Sequence, residues 1–178
     1  TEAVVIENRT RWSDAEGRPP HSFEAVVRGG DDQAVADVLW RGKSAGSESV
    51  TTVAAANQVA LPVNDASGNP QTVRFSRPDL IPVWVEVDYT PRSSAPADIE
   101  TRIQQAILDF DAAVEVGDDV TPTDVEQAIL CYSGLAGVFS SLTLRMGFSA
   151  SPPIAQPVPA SLTQLPDFDS ARILITRV

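Results

Sequence analysis

Cysteine, histidine, lysine and methionine each occur once in these 178 residues, and each scarcity closes off a class of function. A lone Cys131 forbids an intramolecular disulfide and any cysteine-rich metal site. It sits on the flank of a helical stripe with no basic neighbour in sequence, and is read as a half-buried small residue without a reactive thiolate. One cysteine fits a reducing compartment. With His21 the only imidazole, neither a Ser-His-Asp nor a Cys-His device can be assembled without it. His21 follows "GRPP" at the start of a strand pattern, with no nucleophile elbow nearby, and is read as a surface or strand-edge residue. One histidine and one cysteine also fall short of a zinc ligand set. Lys43 is the only lysine, and the 13 basic residues against 24 acidic ones leave a net charge of −11 without any basic run. Nucleic-acid binding is disfavoured, because that affinity rests on clustered Lys and Arg neutralising phosphates. No apolar run approaches the roughly 20 residues that cross a bilayer, so no membrane partner is expected, and the N-terminus lacks the pattern of a signal peptide. The chain enters the strand-like "AVVIEN" almost at once and is read as a piece of a longer protein.

What is present is a 43% hydrophobic composition compatible with a true core. The residues "HSFEAVVRGGDDQAVADVLWRGKSAG" pass from an alternating strand through two glycines into a helix, a layout shared with phosphate-binding junctions. Asp31 and Asp32 argue against that use: one caps the helix and both repel an anion. In the helix, Val35, Val38, Leu39 and Gly42 form the expected apolar arc. "NQVALPVNDASGNPQTVRFS" reads as a hairpin with a longer loop.

The second half opens with the most regular alternation in the chain. Ile81, Val83, Val85, Val87 and Tyr89 form one face of a strand; Trp84, Glu86, Asp88 and Thr90 form the other. A helix follows with Ile99, Ile103, Ala106, Ile107, Phe110 and Val114 in one stripe, ended by Gly117. Thr121 as N-cap, Pro122 at the first helical position and Asp124 completing a capping box start another, with Val125, Ala128, Ile129 and Tyr132 inward and Gly134 past its end. A half-buried strand runs over 142–148. Residues 149–170, rich in proline, read as an extended surface connection before a last strand, "ARILITRV". The pattern predicts an α+β fold in two small domains, 1–78 and 79–178, each a mostly antiparallel sheet with one or two packed helices.

The acidic pairs Asp31–Asp32 and Asp118–Asp119 are the remaining candidates for metal binding or acid–base work. Neither continues into an alternating oxygen-ligand pattern, so both are read as solvated turn charges. No catalytic residue, bound metal, cofactor or enzymatic turnover is expected. Trp40 projects about 140° from the middle of the expected helical arc, and Trp84 lies on the polar face of its strand. Both are candidate interface anchors; packing beneath a loop or between the domains is the competing reading.

As a set, "EN", "DAEG", "PHSFEAVV", "GGDD" before an Ala-rich helix, the Asp65–Gly68 turn, Phe75, Arg77 and Pro78 before a Val-rich strand, "GDDV" and "DVEQAI" resemble the central and C-terminal part of the baseplate J-like family, the wedge proteins of Mu-like and other contractile-tailed phages. The resemblance implies a virion structural protein of the tail baseplate, made in the bacterial host cytoplasm. It implies contacts with other wedge and hub proteins, homo-oligomerisation, and a place in a phage, a prophage or another contractile injection system. It also implies that an N-terminal portion of the family pattern lies outside this chain. The readings from other classes are a carboxylate-dependent hydrolase and a secreted ligand-binding module.

Overall fold

A computed structural model describes residues 1–44, 46–152 and 154–178. Ala45, and Pro153 within the proline-rich connection, lie outside the described residues. The chain has an α+β fold with two mostly antiparallel sheets and divides into two compact units. Residues 1–79 with 162–164 form the first; residues 80–161 with 165–178 form the second.

Unit 1 contains the strands β1 (Glu2–Asn8) and β2 (Ser22–Arg28), the helix α1 (Asp32–Gly42), the short strand β3 (Glu48–Ser49), and the strands β4 (Gln58–Asn64) and β5 (Pro70–Ser76). The sheet order is β1-β2-β5-β4, with β3 beside β2. β1 and β2 are antiparallel from Glu2↔Arg28 to Asn8↔Ser22, and β4 and β5 form the hairpin expected from "NDASGNP". β2 and β5 run parallel through Val26↔Ser76. On one face of this sheet Phe23, Ala25, Val27, Val63, Val73 and Phe75 pack with Ala36 of α1.

The helix meets that face differently from the expected arc. Ala36 is fully buried, Val35, Leu39 and Trp40 lie against the core, and Val38 is 67% exposed. Positions 36, 39 and 40 share one helical face. The sheet beneath carries two phenylalanines, and the small Ala36 is the helix residue fully buried against them, with the bulkier Trp40 packed partly buried on the same cluster. Trp40 is therefore partly a core residue.

Unit 2 contains β6 (Asp79–Pro91), α2 (Ile99–Ala113), α3 (Pro122–Cys131), β7 (Phe139–Gly147) and β8 (Gln164–Arg177), with sheet order β7-β6-β8; the first residues of β6 and β8 are counted with unit 1. The alternation of β6 is realised: Val83, Val85, Val87 and Tyr89 are buried and Trp84, Glu86, Asp88 and Thr90 are half-exposed. Ile99, Ile103, Ala106 and Ile107 of α2 and Val125 and Ile129 of α3 supply the helical side of the core. The capping box is present, with the Thr121 side chain accepting from the Asp124 N–H and Asp124 accepting from the Thr121 N–H.

Two boundaries and one burial differ from expectation. α2 ends at Ala113, one turn before Gly117. Cys131 is exposed rather than half-buried. The last strand begins at Gln164, so the connection expected over 149–170 stops before it. Leu165 and Phe168 are buried there, and Pro166 is tolerated because β8 is an edge strand, where a missing N–H costs no ladder bond.

Candidate interaction surfaces

The three tryptophans occupy three different settings. Trp40 rests on the unit 1 core, with the Lys43 ammonium 4.5 Å from its ring centre. Its outer edge lines a shallow groove with Gln33, Asp37, Arg41, Pro62, Val63 and Asn64. Trp84 lies on the outer face of the β6 sheet, half-buried, with the Arg172 guanidinium 5.8 Å from its ring. Along the same face Arg145 bridges Glu86 and Asp88, each at 2.9 Å. Its pKa is raised by the hydrogen bonds it donates to these two carboxylates, and the face is a ladder of paired charges ending in an aromatic. Trp12 is the most exposed of the three, at 79%.

Trp12 is exposed on a loop that is internally fastened. The Asn8 side-chain amide, itself buried, donates to the carbonyls of Trp12, Arg18 and Pro19 at 2.8, 2.8 and 3.0 Å. Its oxygen accepts from the Thr10 N–H and hydroxyl. Asp14 accepts from the N–H groups of Glu16 and Arg18, closing the "DAEG" turn. The loop is then pinned to the sheet by Arg18, which pairs with Asp14 and with the fully buried Glu24, each at 2.9 Å. Glu24 also accepts from the Thr52 N–H and hydroxyl and from the Ser76 hydroxyl. Burial alone would raise the Glu24 pKa; the hydrogen bonds from Ser76, Thr52 and Arg18 outweigh it and hold the carboxyl below its usual range. A rigidly held loop that presents a large aromatic beside the exposed Arg9 and Arg11 loses little entropy when a partner covers it. Periodicity has no hold on a loop residue, so Trp12 escaped the sequence reading; an aromatic in a polar turn segment was the available signal.

The glycine junction is not a phosphate cradle. Asp31 caps α1 by accepting the Ala34 N–H at 3.0 Å, which occupies a donor an anion would need. On the other side the Arg77 guanidinium donates to the carbonyls of Val27, Gly29 and Gly30 at 2.9, 2.6 and 2.9 Å and pairs with Asp32. Gly29 and Gly30 have φ of 72° and 81°, left-handed backbone that glycine adopts without the strain of a Cβ. The junction is thus built to hold an arginine of its own chain.

The other candidates are dispersed. Asp118 accepts from the Glu115 N–H and Asp119 from the Ala160 N–H, so that pair fastens loops. His21 is exposed, with φ of 56°. Among the described residues no three His, Cys, Asp or Glu side chains converge as metal ligands. No protein-family model matches the chain, and no curated protein matches it.

Proposed function

We propose that the chain is a structural subunit of a contractile-tail baseplate, a wedge component that works through protein–protein contacts. The observation that carries this reading is how the residues behind the family resemblance are used. Asn8 and the "DAEG" turn lock the Trp12 loop, Glu24 of "PHSFEAVV" anchors it, Asp31 of "GGDD" caps α1, Asp65 closes its turn by accepting from Ser67 and Asn69, and Arg77 seals the glycine junction. Each motif residue holds backbone shape, as expected when shape is what the protein contributes. Trp12, Trp40 and Trp84 are the anchors such a subunit would bury in its neighbours.

Three experiments test the reading. Sheath, tube and spike genes are expected beside this gene; a metabolic operon there would overturn it. Within particles made from such a cluster, an epitope tag on this chain is expected at the baseplate end in immunogold images. A tag absent from the particles, or spread along the tube, rejects the assignment. Trp12→Glu and Trp84→Glu proteins should fold and fail to incorporate. Trp40→Glu should also lose stability, because that ring lies on the core.

A further inference from the structure

α1 packs on β4 and β5, with Phe23, Ala25 and Val27 of β2 in the same core cluster, and leaves the same face of β1 exposed. The β1–β2 register places Ala3, Val5 and Glu7 opposite Val27, Ala25 and Phe23, on the side where α1 lies. All three are exposed; Val5 is 54% exposed, and across from it Val38 of α1 is 67% exposed. Between them runs a groove of about 630 Å³ with Phe23 and Leu39 in its lining, within the roughly 300–1,000 Å³ of ordinary binding sites.

Around this groove Glu7 and Arg9 cancel and the charge of Lys43 is left over, in a chain whose net charge is −11. The protein carries 24 acidic residues against 13 basic ones, yet the lining holds Arg9, His21 and Lys43, including the only lysine and the only histidine. The one carboxylate in the lining is Glu7, already paired with Arg9. Among the described residues neither Lys43 nor His21 has an ion-pair partner; Lys43 donates to the Ser47 carbonyl at 3.4 Å.

β1 is also an edge strand with an undefended outer side. Among the described residues it pairs with β2 alone, through seven consecutive residues without a bulge, and "EAVVIEN" contains neither proline nor lysine to block addition of another strand. We propose that the β1 edge and this groove together bind an extended segment of a partner protein: the segment adds as a strand to β1, an apolar side chain enters between Val5 and Val38, and a carboxylate meets Lys43 and His21. The acidic character follows from the lining, and the extended form from the free edge. The inference is independent of the baseplate reading.

The test uses three fluorescein-labelled, N-acetylated octapeptides: one alternating valine with glutamate, one alternating valine with lysine, and the glutamate peptide N-methylated on alternate residues so that one edge cannot pair. Fluorescence anisotropy should show binding of the unmodified glutamate peptide only. In NMR spectra the single imidazole of His21 and the single methylated side chain of Lys43 should shift on binding. Lys43→Gln should weaken binding about tenfold, more than a fully solvated rim charge would. Val5→Lys and Val38→Lys, at exposed positions that leave the circular dichroism unchanged, should abolish it. No binding of the glutamate peptide, equal binding of both charge types, indifference to N-methylation, or unmoved His21 and Lys43 signals each overturns the proposal. So does self-association of the chain without peptide that Val5→Lys abolishes.

Discussion

The two units reach the same fold class by different chemistry. All six buried polar side chains among the described residues, Asn8, Arg18, Ser22, Glu24, Ser49 and Ser76, belong to unit 1. The large buried side chains of unit 2 are Tyr89, Ile103, Ile107, Ile129, Leu135 and Met146, and Tyr89 satisfies its hydroxyl by donating to Glu100 at 2.9 Å. The difference follows from what covers each sheet. In unit 2 helices do so, and a helix satisfies its own backbone and offers an apolar stripe. In unit 1 one face has α1, while the Glu24 face meets the 9–21 loop and Thr52, whose polar groups need partners once buried. A loop that covers a sheet brings its own polar anchors; a helix does not need them.

Breaking the polar anchor should have the largest effect. Glu24→Ala leaves Arg18 without its buried partner and is expected to cost about 3–5 kcal/mol, the range for halving a buried ion pair. Hydrogen exchange should show the loss first in β2 and β5. If β2 and β5 keep their protection, the clamp is not what holds unit 1. Ile107→Ala, at a fully buried site in α2, should cost about 2–5 kcal/mol by cavity formation. Chemical denaturation would measure it, and exchange should now rise in α2 and β6 while β2 stays protected.

Acid should separate the units without mutation. The folded-state pKa of Glu24 lies below its usual value of 4.5, so its contribution is complete above pH 4.5 and is lost as pH falls through the folded value. Asp14 shifts the same way: burial would raise its pKa, and bonds from the Arg18 backbone and side chain overcome this. A pH series of exchange measurements should therefore find β2 and β5 loosening before α2. Simultaneous loss, or α2 first, would contradict the comparison. The smallest effect belongs to a local device: Thr121→Ala removes the α3 cap and should cost about 1 kcal/mol, read as a modest fall in melting temperature with no change in unit 1.

The same contrast governs what could be read from the sequence. β6 was legible because period two is written in Val83, Val85, Val87 and Tyr89, and α3 because Thr121, Pro122 and Asp124 perform their chemistry within four residues. Alternation with Phe23, Ala25 and Val27 puts Glu24 on the side that a strand with one buried face turns to solvent; its partners lie at positions 18, 52 and 76, and no local rule joins them. Arg77 was visible in a motif, but its three carbonyl acceptors lie 47 or more residues upstream. The rotation of α1 is illegible because a buried alanine such as Ala36 carries little weight in an apolar pattern. The groove beside β1 was illegible, since Val5 and Val38 meet only across a tertiary fold.

Arg77 also sets an order of events. The glycine junction follows β2 directly, but its carbonyls receive their cation only after some fifty further residues have been threaded and β5 has arrived at Val26. Closing so large a loop precedes the reward, which makes assembly of this sheet slow relative to a local hairpin such as β4–β5. On the ribosome, a nascent chain halted before residue 76 would present β2 with its glycine turn unclasped and Glu24 lacking Ser76. Synthesis of β5 is the event that commits the first unit to its native topology.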